Sequence, residues 1–409
     1  METIEKFGVR KTDLLNFVSK ILEEDELKDI DITIKGIDTQ KGCTGLAIFI
    51  DATGKTINNK SINYNFVVKH SSVDKYQRSE MLVGTFYQVE KAFYSKILPC
   101  FQTYLNYNNL EQLHHFPKYF KTVFMEDREM LALENLCVKG FKLHDIKKPM
   151  NIKHIKLVLE NYAKLHSLSF AIRQHSLEVW EDAIKGFYGL KICITQGPGA
   201  KIFLNFHESL CDILKSSNEE ELLNKVKSYD FVDMFRSQVF NDEWSVVVHG
   251  DCWNNNYLFK YKDNDAENPE AVSFIDWQLS SLGYLEIDLS KFLFTSISTE
   301  HLNELDNLLD YYYTTFSNHL KEYQLNPHTV YPKTVFLQKW KKYCKFGITD
   351  VPYIYEQAAE DESKKIDFRE MIENDDCQYH DMFSCNVKNK NVSERVVNLI
   401  KYLDGKGYL

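Results

Sequence analysis

The segment 246–276 constrains the fold more than any other part of the chain. Three β-branched residues, Val246-Val247-Val248, form an apolar run. They lead straight into His249-Gly250-Asp251-Cys252-Trp253-Asn254-Asn255-Asn256. A buried strand therefore opens onto a loop with one carboxylate, and an amide follows five positions later. Residues 257–261 and 271–276 then read as two short strands joined by the polar loop 262–269. In an antiparallel hairpin the start of the first strand lies beside the end of the second. Asn256 and Asp276, twenty residues apart in sequence, are thus expected to meet in space.

One carboxylate and one amide oxygen at that place make a hard-oxygen site suited to magnesium. Asp251, one loop away, is positioned to act as base or orienter for an attacking hydroxyl beside metal-bound phosphates. Taken singly, each of these residues would pass for a turn-capping Asp or Asn. Together, in one strand–loop–hairpin frame, they read as a site.

A second constellation lies upstream. The turns around 41–45 and 54–55 separate strands expected at 31–37, 46–52 and 62–69, the last ending in Phe66-Val67-Val68-Lys69. A helix over 79–98, stopped by Pro99, carries Phe86, Val89, Glu90, Phe93 and Tyr94 on one apolar stripe. A carboxylate on an inward face is costly unless paired. Lys69 is the expected partner of Glu90, with Glu80 as the competitor for the lysine. A helix over 11–27 precedes these elements, and residues 121–135 hold two more strands around Glu126-Asp127-Arg128. The first third is therefore a small antiparallel sheet with one embedded helix.

After Gly140 the pattern turns helical. Ile155, Val158, Leu159, Tyr162, His166 and Phe170 share a face, and helices are expected at 203–215 and 219–227. A strand is expected at 244–249. Leu302, Leu305, Leu309, Tyr312, Phe316 and Leu320 mark another helix, and a last one starts at Ser393 and ends at Gly405. The fold class is α+β with two lobes: 1–135 as an N-lobe and 136–409 as a C-lobe, the boundary falling within 133–140.

Composition narrows the partners. With 49 basic against 59 acidic residues the net charge is −10, which argues against a general nucleic-acid binder. The nine cysteines are an odd number with no zinc-knuckle or redox spacing, so reduced thiols in a cytoplasmic protein are the simplest account. Met1-Glu2-Thr3-Ile4-Glu5-Lys6 is charged and precedes no apolar h-region. No apolar run approaches the roughly 20 residues that cross a bilayer.

These residues resemble the protein-kinase-like small-molecule kinases, the group that includes aminoglycoside phosphotransferases and choline kinases. The closest resemblance is to the ecdysteroid kinase-like family, also called the CHK kinase-like family. His249 through Asn256 is similar to its catalytic loop, and Ile275-Asp276-Trp277-Gln278 to its metal-binding strand end. Val89-Glu90-Lys91-Ala92-Phe93-Tyr94 followed by Pro99 is similar to its N-lobe helix, and Leu133-Glu134-Asn135-Leu136 to its hinge. The resemblance implies that Asp251 is the catalytic aspartate and that Asn256 and Asp276 hold Mg2+. It implies that Lys69, fixed by Glu90, contacts the ATP phosphates, and that the main chain of Glu134 and Leu136 binds the adenine edge. Asp288 would cap a helix or brace the catalytic loop, and His249 would pack and hydrogen-bond without acting as a nucleophile. Two features depart from the family. Gly42-Cys43-Thr44-Gly45 is short for a phosphate-covering loop, and Asn135 stands where an acidic residue is frequent.

The expected activity is transfer of the γ-phosphoryl group of ATP to an alcohol on a small molecule, an ecdysteroid or a related steroid or xenobiotic alcohol. Choline or ethanolamine would require a cage for a cation, which the sequence does not reveal. A catalytically silent nucleotide-binding module would be marked by loss of Lys69, Asp251, Asn256 or Asp276, and all four are present.

Overall fold

The structure, a computed structural model, describes residues 4–38, 44–196, 199–236, 242–359 and 389–409. Helix α1 (Lys11–Glu24) buries Leu14, Phe17, Val18, Ile21 and Leu22 along one stripe. Each such burial is worth roughly 2 kcal/mol. The expected end at 27 overshoots. Asp25 caps the helix, and Leu27 turns back so that its N–H bonds Leu22 O at 3.0 Å.

Strands β1 (Lys28–Asp38), β2 (Gly45–Lys55), β3 (Ser61–Ser71), β4 (Tyr119–Phe124) and β5 (Glu129–Glu134) form a five-stranded sheet in the order β1-β2-β3-β5-β4. Every pairing in it is antiparallel. Alternation decides what each face does. Ile48, Ile50, Phe66, Val68, Met130 and Ala132 form one buried cluster with α1. Leu131 and Leu133 point the other way and join the core that runs on through the helical part. Lys69 stands opposite Leu131 in the register, so it shares that second face.

The embedded helix is longer than expected and is not stopped by Pro99. After α2 (Lys75–Glu80), α3 (Val83–Ala92) passes into a π-helical turn, Phe93–Ile97, and α4 (Leu98–Tyr107) continues it. Proline lacks an N–H and its ring clashes with the preceding turn of a regular helix. The widened turn directly before Pro99 accommodates both, and the proline occupies the opening of α4.

The remainder is mainly helical. Helix α5 (Ile152–His175) buries the six residues expected on its inner face. Helices α6 (Leu177–Ala183), α7 (Gly189–Gln196), α8 (Gly199–Ser216), α9 (Glu220–Lys227) and α10 (Phe231–Arg236) follow. The expected strand at 244–249 shortens to β7 (Val246–Val248). Asp242 folds the residues before it into a turn, accepting from Trp244 N and Ser245 Oγ, each at 2.9 Å. A two-residue strand, β6 (Lys142–Leu143), pairs with β8 (Tyr257–Tyr261), which pairs with β9 (Pro269–Phe274); β10 (Ser281–Gly283) pairs with β7. Helix α11 (Leu285–Ser296) is buried along its whole length. A 3-10 turn, Thr299–Glu304, interrupts the expected continuous helix before α12 (Leu305–Glu322). The closing helix is Lys390–Gly405, and Asn389 rather than Ser393 caps it, accepting from Asn391 N at 3.0 Å. The architecture is thus the two-lobed, protein-kinase-like α+β fold, the five-stranded sheet built from residues up to Glu134 and helices dominating the rest.

Candidate active site

The loop after β7 is shaped by Gly250. Its φ is +83°, and a Cβ there would lie 2.6 Å from Leu279 O, so a side chain is excluded by conformation and by space together. A 3-10 turn, Asn254–Asn256, then feeds β8. In the hairpin Tyr257 pairs with Phe274, and Ile275 N bonds Asn256 O at 3.0 Å. Asn256 and Asp276 are therefore neighbours, offset by one residue from a direct pairing. Asp276 itself takes a left-handed backbone, φ +66°, a conformation that costs a non-glycine residue energy and occurs where the surroundings impose it.

Lys69 and Glu90 meet as expected, and Glu80 is not the partner. The Lys69 ammonium lies 2.8 and 2.9 Å from the two Glu90 oxygens and 2.7 Å from Asp276 Oδ1. Strand alternation turns Lys69 away from α1, and the apolar stripe of α3 brings Glu90 to meet it. Glu90 also accepts the Trp277 main-chain N–H. One helical turn further, Phe93 stacks on Trp277 with ring centroids 3.5 Å apart. The helix and the strand end after β9 are thus locked together by charge and by aromatic contact. Burial pushes the Glu90 carboxyl above its ordinary range, with Lys69 opposing. Burial would also lower the Lys69 ammonium, but Asp276 and Glu90 outweigh it and hold the lysine protonated.

Asp251 accepts from Asn256 Nδ2 at 2.9 Å and from Trp253 Nε1 at 3.3 Å. Burial pushes its carboxyl up, opposed first by the charge of Lys291. The other Asn256 Nδ2 bond goes to Asp251 O at 2.8 Å, which leaves the amide oxygen for another partner. His249 acts as a strut. Its Nε2 faces Ile275 O at 2.9 Å and its Nδ1 faces Asp251 N at 3.2 Å. A carbonyl only accepts and an amide N–H only donates, so the ring donates from Nε2 and accepts at Nδ1. Asp288, fully buried on α11, braces the loop: it accepts His249 N at 2.7 Å and Gly250 N at 3.0 Å.

The expected hinge residues follow β5. Glu134 N bonds Lys118 O, and Asn135 N bonds Asn65 O, each at 2.9 Å. The Asn135 side chain caps the turn Leu136–Lys139, accepting Cys137 N at 3.0 Å, which gives a local use for the amide where an acid is frequent. Leu136 is buried with Phe141, Leu258 and Ala271, and Leu143 and Ile275 pack on them. Of the expected glycine loop, Gly42 and Cys43 lie outside the described residues. Gly45 is a β2 position whose Cβ would strike His70 O at 2.1 Å, so close strand packing accounts for it. Thr44 Oγ1 donates to Gln278 Oε1 at 2.9 Å, and Gln278 Nε2 donates to Asp276 Oδ2 at 3.3 Å. A cavity of about 490 Å³ adjoins Glu134, lined also by Tyr94, Leu98, Phe116 and Tyr119, and touches none of Lys69, Asp251, Asn256 or Asp276.

Among the described residues no group of three or more His, Cys, Asp or Glu side chains is arranged to hold a metal. The donors available are the Asn256 amide oxygen and the Asp276 carboxylate. That small hard-oxygen set fits magnesium, which keeps several waters and takes further oxygens from phosphates.

Sequence reasoning missed Lys291, Asp350 and the Thr44–Gln278 contact. Lys291 stands in a segment that already mixes Glu286, Asp288 and Ser290 with apolar residues, so the local sequence did not set it apart. Nothing local pointed to Asp350.

Among the described residues no helix is long and apolar enough to cross a membrane. A family model described as the ecdysteroid kinase-like family matches residues 46–325. Solved structures that resemble the chain include the GDP complex of an aminoglycoside 2′-phosphotransferase mutant, at 11% identity and TM-score 0.43, covering 96% of this chain and 98% of that one. A second is a chain from Haemophilus somnus 129PT described as a fructosamine-3-kinase, at 12% identity and TM-score 0.34, covering 93% and 96%. No curated protein matches.

Proposed function

The chain belongs to the ecdysteroid kinase-like family, whose members are small-molecule kinases, and from that premise we propose that it transfers the γ-phosphoryl group of ATP to an alcohol hydroxyl. The acceptor class is an ecdysteroid or a related steroid or xenobiotic alcohol. The observation that supports this reading best is the convergence of the Glu90 and Asp276 carboxylates on the Lys69 ammonium, each within 2.9 Å of it, beside the hairpin that also carries Asn256 next to Asp251.

Each group has a role its position suits. Lys69, held protonated between two carboxylates, would turn toward the phosphates, with Glu90 keeping its stem aimed into the cleft. Asn256 and Asp276 would hold Mg2+, which when bound neutralises charge on the phosphate oxygens. Asp251 would orient the acceptor hydroxyl and take its proton. Leu136, Leu258 and Ile275 offer an apolar surface to adenine beside the main chain of Glu134 and Leu136. The protein would occupy the cytoplasm, where ATP and reduced thiols coexist. We place the lobe boundary at residues 135/136, where β5 gives way to the turn Leu136–Lys139.

The test is incubation with ATP, magnesium and a panel of steroid and glycoside alcohols, read by mass spectrometry for phosphate adducts. Wild type is expected to form adducts. Asp251→Asn is expected to lower turnover by about a thousandfold while its thermal shift with ATP and magnesium stays near wild type. Near-normal turnover in that variant would reject Asp251 as the base. Stabilisation by ATP with no adduct on any alcohol would favour the silent module.

A further inference from the structure

The loop that carries Asp251 is held by one face of α11. Asp288, Lys291 and Thr295 fall at i, i+3 and i+7, a single helical stripe. Asp288 takes the N–H groups of His249 and Gly250. Lys291 Nζ reaches Gly250 O at 3.3 Å, and Thr295 Oγ1 reaches Cys252 O at 3.4 Å. The stripe thus engages donors and acceptors of the loop main chain in turn.

Lys291 is the unusual member. Its side chain is 5% exposed, on a helix buried throughout. Desolvating an ammonium costs several kcal/mol unless a partner compensates. The partner is Asp350 at 2.9 Å, itself 7% exposed and distant in sequence. The turn Cys344–Ile348 delivers it, and that turn lies against α11 so closely that a Cβ on Gly347 would meet Ser290 C at 2.4 Å. A helix interior could be filled with apolar side chains at less cost. The ammonium is instead spent on the carbonyl of Gly250, the left-handed residue directly before Asp251.

We propose that Lys291, anchored by Asp350, is a positioning residue for Asp251: its ammonium pins the Gly250 carbonyl and so fixes the peptide from which the Asp251 carboxylate projects. The inference rests on the phosphotransfer reading and deepens it.

A merely structural ion pair behaves differently, because a buried pair replaced by apolar groups of similar volume is frequently tolerated. The deciding variant is therefore the double change Lys291→Met with Asp350→Leu, which leaves no buried charge behind. It is expected to fold, to keep the wild-type KM for ATP, and to lose at least tenfold in kcat. Hydrogen exchange at the amides of 250–252 is expected to quicken while exchange in the sheet stays unchanged. Lys291→Arg, which keeps the charge, is expected to retain most of kcat. Wild-type kcat and exchange in the double variant would overturn the proposal, as would an equal loss in Lys291→Arg. If the double variant does not fold, Asp350→Asn takes its place: a several-fold fall in kcat at unchanged KM supports the proposal, and an unchanged kcat overturns it. A wild-type protein that transfers no phosphate to any acceptor would instead sink the phosphotransfer reading, and the exchange comparison alone would then decide whether Lys291 orders the loop.

Discussion

Two helices bury carboxylates beside the candidate active site, and they neutralise them by different means. Glu90 on α3 is met by the ammonium of a long side chain, Lys69, which it shares with Asp276. Asp288 on α11 is met by the His166 ring at 3.4 Å and by two main-chain N–H groups of the loop it supports. Their titration diverges accordingly. Burial wins at Glu90 and raises it despite Lys69. Burial would raise Asp288 as well, but its hydrogen bonds to His166 and to the loop amides bring it below the usual carboxylate range. Peptide N–H groups belong to the frame and cannot leave. An ammonium on a flexible stem can be redirected toward an arriving anion. One helix therefore fixes its neighbour, and the other holds a charge in readiness.

That contrast is broken most sharply at Asp288. Asp288→Ala leaves two buried N–H groups without an acceptor, each worth about 1–3 kcal/mol. Denaturant unfolding is expected to show a loss of about 4 kcal/mol, and turnover is expected to fall with it because the Asp251 loop loses its support. A stable variant with normal turnover would mean that the loop holds its shape unaided.

The corresponding change on α3 should be milder and of another kind. Glu90→Gln keeps an acceptor for the Trp277 N–H and leaves Lys69 with Asp276. Its expected signature is a rise of about tenfold in KM for ATP with a smaller change in kcat, the mark of lost binding rather than lost chemistry. A kcat loss as large as that of Asp288→Ala would erase the distinction between a fixing helix and a poising one.

The sequence carried the α3 half of this comparison more openly than the α11 half. An inward-facing Glu90 is visible because its neighbours Phe86, Val89 and Phe93 set a period against which a carboxylate stands out. The hairpin likewise announces that Asn256 and Asp276 will meet, because strand pairing converts sequence distance into contact. On α11 every residue is buried, so no polar face exists against which Lys291 could look misplaced. Its partner lies beyond α12 and joins it only through tertiary packing. The π-helical turn at Phe93–Ile97 was hidden for a related reason. Pro99 signals a stop in a regular helix, and only the packing of Phe93 on Trp277 gives the chain a reason to widen and continue.

The last expected effect is confined to a pH window and concerns a third buried carboxylate, Glu286, two residues before Asp288 on α11. Its Oε1 accepts the Tyr331 hydroxyl at 2.6 Å, while its Oε2 has no donor among the described residues. The nearby ammonium of Lys339 sits over the Tyr284 ring at 3.3 Å instead. Burial, only partly opposed by the Tyr331 bond, pushes this carboxyl from 4.5 up to about 7. The folded protein thus keeps a proton that the unfolded chain gives up near pH 4.5. Between those two values the native state binds more protons, so this group's contribution to stability falls as pH rises and levels off above about pH 7. The full loss is about 3 kcal/mol at 1.36 kcal/mol per unit. Glu286→Gln keeps an oxygen for Tyr331 and cannot ionise, so it should remove that slope and gain most at and above neutrality. Denaturant unfolding of both proteins at pH 5 and pH 8 measures it. The same loss between those values in both would show that Glu286 is already ionised at both, and that α11 stabilises its charge as it does that of Asp288.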